Sequence, residues 1–217
     1  LHMLYTTSNH GPYTIPVGQY GYDVKKVMPE APEKVRTDAM TQRRLSCYWY
    51  TDWALFRFVE QMKALYPDSL FIVTGDHSMG VIPFDCDVVE RSGPSIREQV
   101  GTAFMLQHPD IEAGMFAGNT IGGHMNILPT IMELLAPAGQ PYLSLFQPLT
   151  ERIDHVVTPH HWLTEKRIGL FADAVCQSLA VSPSELPLVP DDGRFRAERD
   201  GWCELSGWMA RHTELLK

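Results

Sequence analysis

The chain has 217 residues, room for one large domain or two small ones, and its 44% hydrophobic and 20% charged residues are the balance of an ordinary globular core. A net charge of −8 with a pI near 5.5 excludes a nucleic-acid binder of the usual kind, which presents a basic face. No apolar run approaches the roughly 20 residues that cross a bilayer, and the opening LHMLYTT has neither the basic start nor the small-residue cleavage site of a signal peptide.

In chain order, residues 1–6 (LHMLYT) read as a strand that starts abruptly, and Gly11 to Met40 as a long loop with a short helix near Thr37. From Thr41 to Tyr66 the pattern is helical: Tyr48, Thr51, Leu55, Phe58, Val59 and Met62 recur at three- and four-residue steps, and Pro67–Asp68 ends the run. Ser69–Thr74 (SLFIVT) is a short, nearly continuous apolar run that suits a strand buried on both faces of a parallel sheet. The loop Gly75–Glu90 follows, then a weak helix near Ser95–Val100, a second buried strand at Thr102–Gln107 and a helix over Asn126–Leu135 with Pro129 in its first turn. Two short strands are expected within residues 153–171, Asp173–Leu179 is ambiguous, and a last helix spans Trp202–Leu216. Helix followed by buried strand is half of an α/β repeat, so the predicted fold is α/β with a mostly parallel sheet flanked by helices. The four cysteines, Cys47, Cys86, Cys176 and Cys203, form no C-x-x-C pair and suit either redox compartment.

The chemistry-bearing residues sit at the ends of these elements. In FIVTGDHSMG (71–80), Asp76 and His77 follow a strand and Gly75, where ligands of open α/β sheets collect and where glycine lets the backbone approach a ligand. A carboxylate and an imidazole are donors for a divalent cation such as Zn²⁺ or Mn²⁺. The bland alternative is a turn aspartate beside an exposed histidine. In TTSNHGPYTIP, His10 occupies a polar turn where Ser8 and Asn9 could equally be making local hydrogen bonds. In GNTIGGHMNILPT, His124 follows two glycines and precedes a helix N-terminus, a place that favours anions. His160–His161 and the remaining histidines read as surface residues.

The order SNHGP-Y, amphipathic helix, strand–TGDHS, then H-x-N-x-x-P-T-x-x-E-L-L resembles the alkaline phosphatase superfamily, and more closely the sulfatase-type domain of lipoteichoic acid synthases and phosphoethanolamine transferases, over roughly residues 1–150. The resemblance implies that Asp76 and His77 ligate a divalent metal, Mn or Zn, with Mg or Ca as alternatives. It also implies that His10 lies near the phosphate or the leaving group as hydrogen-bond donor or general acid, and that His124 is a substrate-binding residue. Asn126 stands where relatives often carry an acid, and no C-x-P-x-R sulfatase signature occurs. In the family the nucleophile and a further acidic ligand precede the SNHGP segment. The expectation is therefore that the fold is incomplete: residues 1–150 would be the C-terminal part of a catalytic domain and residues 151–217 its C-terminal strands and helix. The chain would need the missing N-terminal half as its partner, and would be inactive alone.

The implied function is a metal-dependent phosphoryl transferase or phosphoric-ester hydrolase of phosphoglycerol or phosphoethanolamine type. A sulfuric-ester hydrolase and a non-catalytic binding module stay open beside it. The implied substrate is a phosphate or sulfate ester, lipid-linked or not, and the implied location is extracytoplasmic, on a membrane-anchored parent protein.

Overall fold

Helix α3, Ala39–Leu65, is the longest element of the computed structural model, which describes residues 2–78, 95–116, 121–172, 175–178 and 192–216. It starts where the sequence supplies a cap: the Asp38 carboxylate accepts the Thr41 N–H at 2.7 Å. It ends ahead of Pro67, as expected from the breaker. Of the residues at helical spacing, Val59 is buried while Phe58 remains 40% exposed.

The described chain divides into two compact units, residues 1–94 with 98–110, and residues 95–97 with 111–217. In the first unit a 3-10 turn (Val17–Tyr20) and two short helices, α1 (Val24–Val27) and α2 (Glu33–Thr37), precede α3. Strands β1 (Phe71–Thr74) and β2 (Phe104–Gln107) follow. The opening strand expected over residues 1–6 is not found: among the described residues, 2–6 take no regular secondary structure. The β1 and β2 strands do form, and they pair antiparallel with Phe71 opposite Gln107 and Thr74 opposite Phe104. The predicted parallel sheet is therefore not what the described residues contain; both sheets are antiparallel. Nor are the two strands buried as expected: β1 is only partly covered, and Phe104 and Met105 of β2 are 40% and 43% exposed, because a short apolar run encodes neither what covers a strand nor which way its neighbour runs. Of the expected loop Gly75–Glu90, residues 79–90 lie outside the described residues.

Short helix α4 (Ile96–Val100) forms where expected and spans the boundary between the units. The second unit holds α5 (Ile127–Leu135), strands β3 (His155–Val157), β4 (His161–Thr164), β5 (Arg167–Leu170) and β6 (Val175–Ser178), and α6 (Gly193–Arg211). The four strands form one antiparallel meander in the order β3-β4-β5-β6. This region yields more strands than the two expected, and α6 starts nine residues ahead of the predicted Trp202. Adjacent Val156 and Val157 point to opposite faces, and both faces are covered. Val157, Trp162, Phe171 and Cys176 pack with Phe195 of α6 on one side; Val156 packs with Ile121, Ile153, Leu149 and Leu163 on the other. Trp162 lies directly over Gly169, its partner across β4–β5, so a side chain there would collide with the indole. His161, read from sequence as a surface residue, is half-buried in β4. Burial first, and His160 second, hold its pKa below the usual histidine value.

Candidate active site

The strand β1 delivers Asp76 and His77 two and three residues past its end. The Gly75 N–H continues the ladder by donating to the Ala103 carbonyl at 3.2 Å. A Cβ on Gly75 would come within 3.3 Å of the Thr102 Cβ, so this turn runs close against its neighbour and favours glycine. Beyond it the chain bends: the Asp76 Oδ1 accepts the His77 N–H at 2.9 Å, and the His77 Nε2 lies 3.5 Å from the Asp76 Oδ2. Both side chains are more than half exposed, at 59% for His77 and 71% for Asp76.

This geometry fits two corners of a metal coordination sphere. Two ligands held about 2.1 Å from a tetrahedral ion stand about 3.4 Å apart. Adjacent residues on an extended strand would point to opposite faces, and it is the bend after Gly75 that makes them converge. Among the described residues no third His, Cys, Asp or Glu joins the pair.

His10 occupies a turn closed by its own N–H, which donates to the Thr7 carbonyl at 3.0 Å. Its Nδ1 lies 2.9 Å from the Gly11 carbonyl oxygen. An oxygen acceptor there places the proton of a neutral imidazole on Nδ1. The turn is tied to α3 by a contact that sequence reading took to be local. The Thr51 hydroxyl donates to the Asn9 Oδ1 at 2.7 Å, 42 residues away. No hydrogen bond or ion pair joins His10 to Asp76 or His77. The chain's early segment is thus brought against α3, while the Asp–His pair is set by β1.

His124 belongs to the second unit, and its position relative to the other three residues is not defined by that unit's own geometry. It opens a 3-10 turn, His124–Asn126, that runs into α5. Gly122 and Gly123 run close against their neighbours: a Cβ on the first would sit 2.7 Å from Leu149 Cδ2, which would have to swing aside, and on the second 2.8 Å from Cγ1 of the buried Val156. Asn126 is buried and closes the turn, its Oδ1 accepting the Gly123 N–H at 2.9 Å and its Nδ2 donating to the Gln147 carbonyl at 2.8 Å. That double role accounts for an amide where an acid was expected, since a carboxylate could not donate to Gln147.

Two further features near His10 escaped the sequence. Tyr13 holds a left-handed backbone with φ of +57°. An aromatic row (Tyr20, Tyr22, Trp49, Tyr50, Trp53) packs the 3-10 turn and its flank onto α3, with ring centroids 4.8 to 6.2 Å apart. The only sequence signal for the row was the density of aromatics in 48–53 (YWYTDW).

A family model described as Sulfatase matches residues 1–137. No curated protein and no solved structure matches the chain.

Proposed function

The chain belongs to the sulfatase family, and from that premise we propose that it is part of a metal-dependent phosphoryl transferase or phosphoric-ester hydrolase, of phosphoglycerol or phosphoethanolamine type. Membership carries the coarser statement by itself: the domain is of a hydrolase and transferase superfamily whose members commonly use divalent metals. The observation that carries the finer reading is the convergence of Asp76 and His77 at 3.5 Å, beyond the end of β1 and inside the matched region.

In this reading Asp76 Oδ2 and His77 Nε2 hold a divalent cation, Mn²⁺ or Zn²⁺, with Mg²⁺ or Ca²⁺ as weaker alternatives. When bound, the cation supplies positive charge against the negative charge that develops on the transferred group. The rest is the work of side chains. Asp76 and His77 fix the position of that charge relative to the sheet edge. His10, anchored through Nδ1, presents protonated Nε2 to the departing oxygen and returns as base when Nε2 is free. Asn9 and Thr51 keep that imidazole's turn on α3. His124 contacts the non-reacting part of the substrate. The substrate is a phosphate ester, lipid-linked or soluble, and the setting is extracytoplasmic on a membrane-anchored parent protein, as in the enzymes that the TGDHS and SNHGP motifs resemble. Hydrolysis of a sulfate ester is the second reading, favoured by the description of the family model itself.

Mn²⁺ titration followed by electron paramagnetic resonance tests the metal role. The expected result is saturable binding that weakens at least tenfold in Asp76→Ala and in His77→Ala. Equal affinity in wild type and both variants would sink the assignment.

A further inference from the structure

Helix α6 has two sides of different character. One is packed: Phe195 joins the cluster around Trp162, Glu198 bonds to His155, and Trp202 meets Phe146 edge-on with ring centroids 5.6 Å apart. The other side is apolar and open. Leu205 and Trp208 are 43% and 41% exposed, and Leu215, in the 3-10 turn Thr213–Leu216 that follows the helix, is 64% exposed. Gly201, Leu205, Trp208, His212 and Leu215 follow one another at steps of four and three, the spacing of a seam between two helices.

The middle of this seam is already fixed. The Trp208 and His212 rings stack at 4.6 Å with 18° between their planes, and the His212 Nδ1 donates to the Trp208 carbonyl at 2.9 Å. Side chains held in place before contact lose little freedom on binding. Gly201, where an added Cβ would meet nothing, leaves a gap in the same row. Glu204 and Arg211 border the seam on one flank, each directly preceding a seam residue. Both are exposed, and neither forms an ion pair among the described residues. They stand seven residues apart, about 10 Å along the axis, too far to meet within one helix.

We propose that this face of α6 docks on the same face of a second copy of the chain, antiparallel, about a twofold axis near Gly207. Charge selects both the partner and the direction. A twofold axis reverses the second helix, so a flank residue meets the same flank one heptad away. Glu204 then meets Arg211 of the second copy, and Arg211 meets its Glu204: one pair of residues forms two bridges. The same operation sets Leu205 against Trp208, and Gly201 against His212, where the missing side chain makes room for the stacked rings. Parallel pairing would instead bring Glu204 against the half-buried Met209, five residues on, with no charge to answer it. A lipid surface fits less well. Helices that lie on membranes carry a polar face rich in Lys and Arg, whereas this flank holds one acid and one base.

Sedimentation equilibrium on the full chain, between about 1 and 300 µM, tests it. A seam of a few helical turns is a small interface, so a monomer–dimer equilibrium with Kd of about 10–100 µM is expected. Trp208→Ala should weaken it at least tenfold. Glu204→Lys and Arg211→Glu should each do the same, because each sets like charges opposite one another twice in the dimer. The deciding sample is an equimolar mixture of those two charge variants. Every altered charge then meets its opposite on the other chain, and a heterodimer should form within about threefold of the wild-type affinity. Recovery on mixing also shows that both variants are folded. Three results would overturn the proposal: a monomer throughout the range, charge variants that associate like wild type, or a mixture that associates no better than its parts. Binding to phosphatidylglycerol vesicles by a chain that stays monomeric would give the face to a lipid surface and equally sink the second copy.

Discussion

The two units hold their chains together in different ways. In the second, a four-stranded sheet is covered on both faces, and Ile121, Ile153, Val156, Val157, Trp162, Ile168, Phe171 and Cys176 are buried. In the first, the buried apolar residues among those described are Val35, Cys47 and Val59, while Phe56, Leu65, Phe104 and Met105 are exposed by 40% or more. A two-stranded ribbon such as β1–β2 is marginal by itself, so the first unit leans on capping, cross-chain hydrogen bonds and the aromatic row. Three of the four candidate site residues, His10, Asp76 and His77, belong to this sparser unit. Polar, exposed ends of elements are where chemistry can be placed without burying charge, and a thin core is the cost.

The contrast breaks most readily at Trp162. It is 3% exposed, stacked on Phe195 at 4.8 Å and seated on Gly169. Trp162→Ala should cost about 3–5 kcal/mol, read as a lowered urea midpoint by circular dichroism. Mn²⁺ affinity of the folded fraction should stay at the wild-type value. If the affinity falls with stability, the units are not energetically separate and the contrast fails.

Asn126→Asp probes the same unit where it meets the family pattern. The substitution keeps the acceptor for Gly123 N–H and turns the Gln147 donor into an oxygen facing an oxygen. The expected loss is about 2–3 kcal/mol near neutral pH. The sign with pH follows from burial: the new carboxyl's folded pKa lies above its unfolded value of about 3.9, so the variant is least impaired at low pH and loses stability as pH rises through the folded pKa. A difference from wild type that does not change between pH 4 and pH 7 would refute the hydrogen-bond account.

A smaller effect is expected where the second unit's helix meets its sheet through charge. The His155 Nε2 lies 2.7 Å from Glu198 Oε2, with Glu198 still 40% exposed. Partial exposure screens the pair, so Glu198→Gln should cost about 0.5 kcal/mol in a denaturant titration, far below Trp162→Ala. A loss as large as the tryptophan's would mean that α6 is held by charge, not by Phe195.

What could be read from the sequence follows the same division. Helix α3 was legible because its apolar residues repeat at three and four steps; its start, expected at Thr41, lies two residues earlier at Ala39, where the Asp38 cap sets it. The position of β1 was legible from FIVT, and so was the pairing of Asp76 with His77, because adjacency in sequence needs only one bend to become adjacency in space. The antiparallel partner of β1 was not, since 29 residues separate Thr74 from its partner Phe104 only in sequence, and nothing in either run encodes direction. The Asn9–Thr51 bond and the left-handed Tyr13 were invisible for a related reason: each depends on what the early segment packs against. The strands β3 to β6 are three or four residues long, too short for a period to be counted.

The smallest expected effect lies at the start of α3 and is local. The Thr41 N–H, through its hydrogen bond, and then the Thr41 side chain hold the Asp38 carboxyl below the usual aspartate range. A depressed folded pKa means that the cap's contribution is present above the unfolded pKa of about 3.9 and is lost as pH falls through the lower folded value. Helical content elsewhere should be unchanged, and the first turn of α3 should fray. Amide exchange at Thr41 and Gln42 in wild type, compared with Asp38→Asn, reads this directly. Asparagine also caps, but it carries no charge to titrate, so its protection should stay flat across the acid range where the wild type loses protection. Matching pH profiles would show that the carboxylate's charge does not hold this end. The sparser unit would then depend on the contacts that bury Val35 of α2 and Cys47 of α3, and its difference from the sheet-built unit would be one of degree.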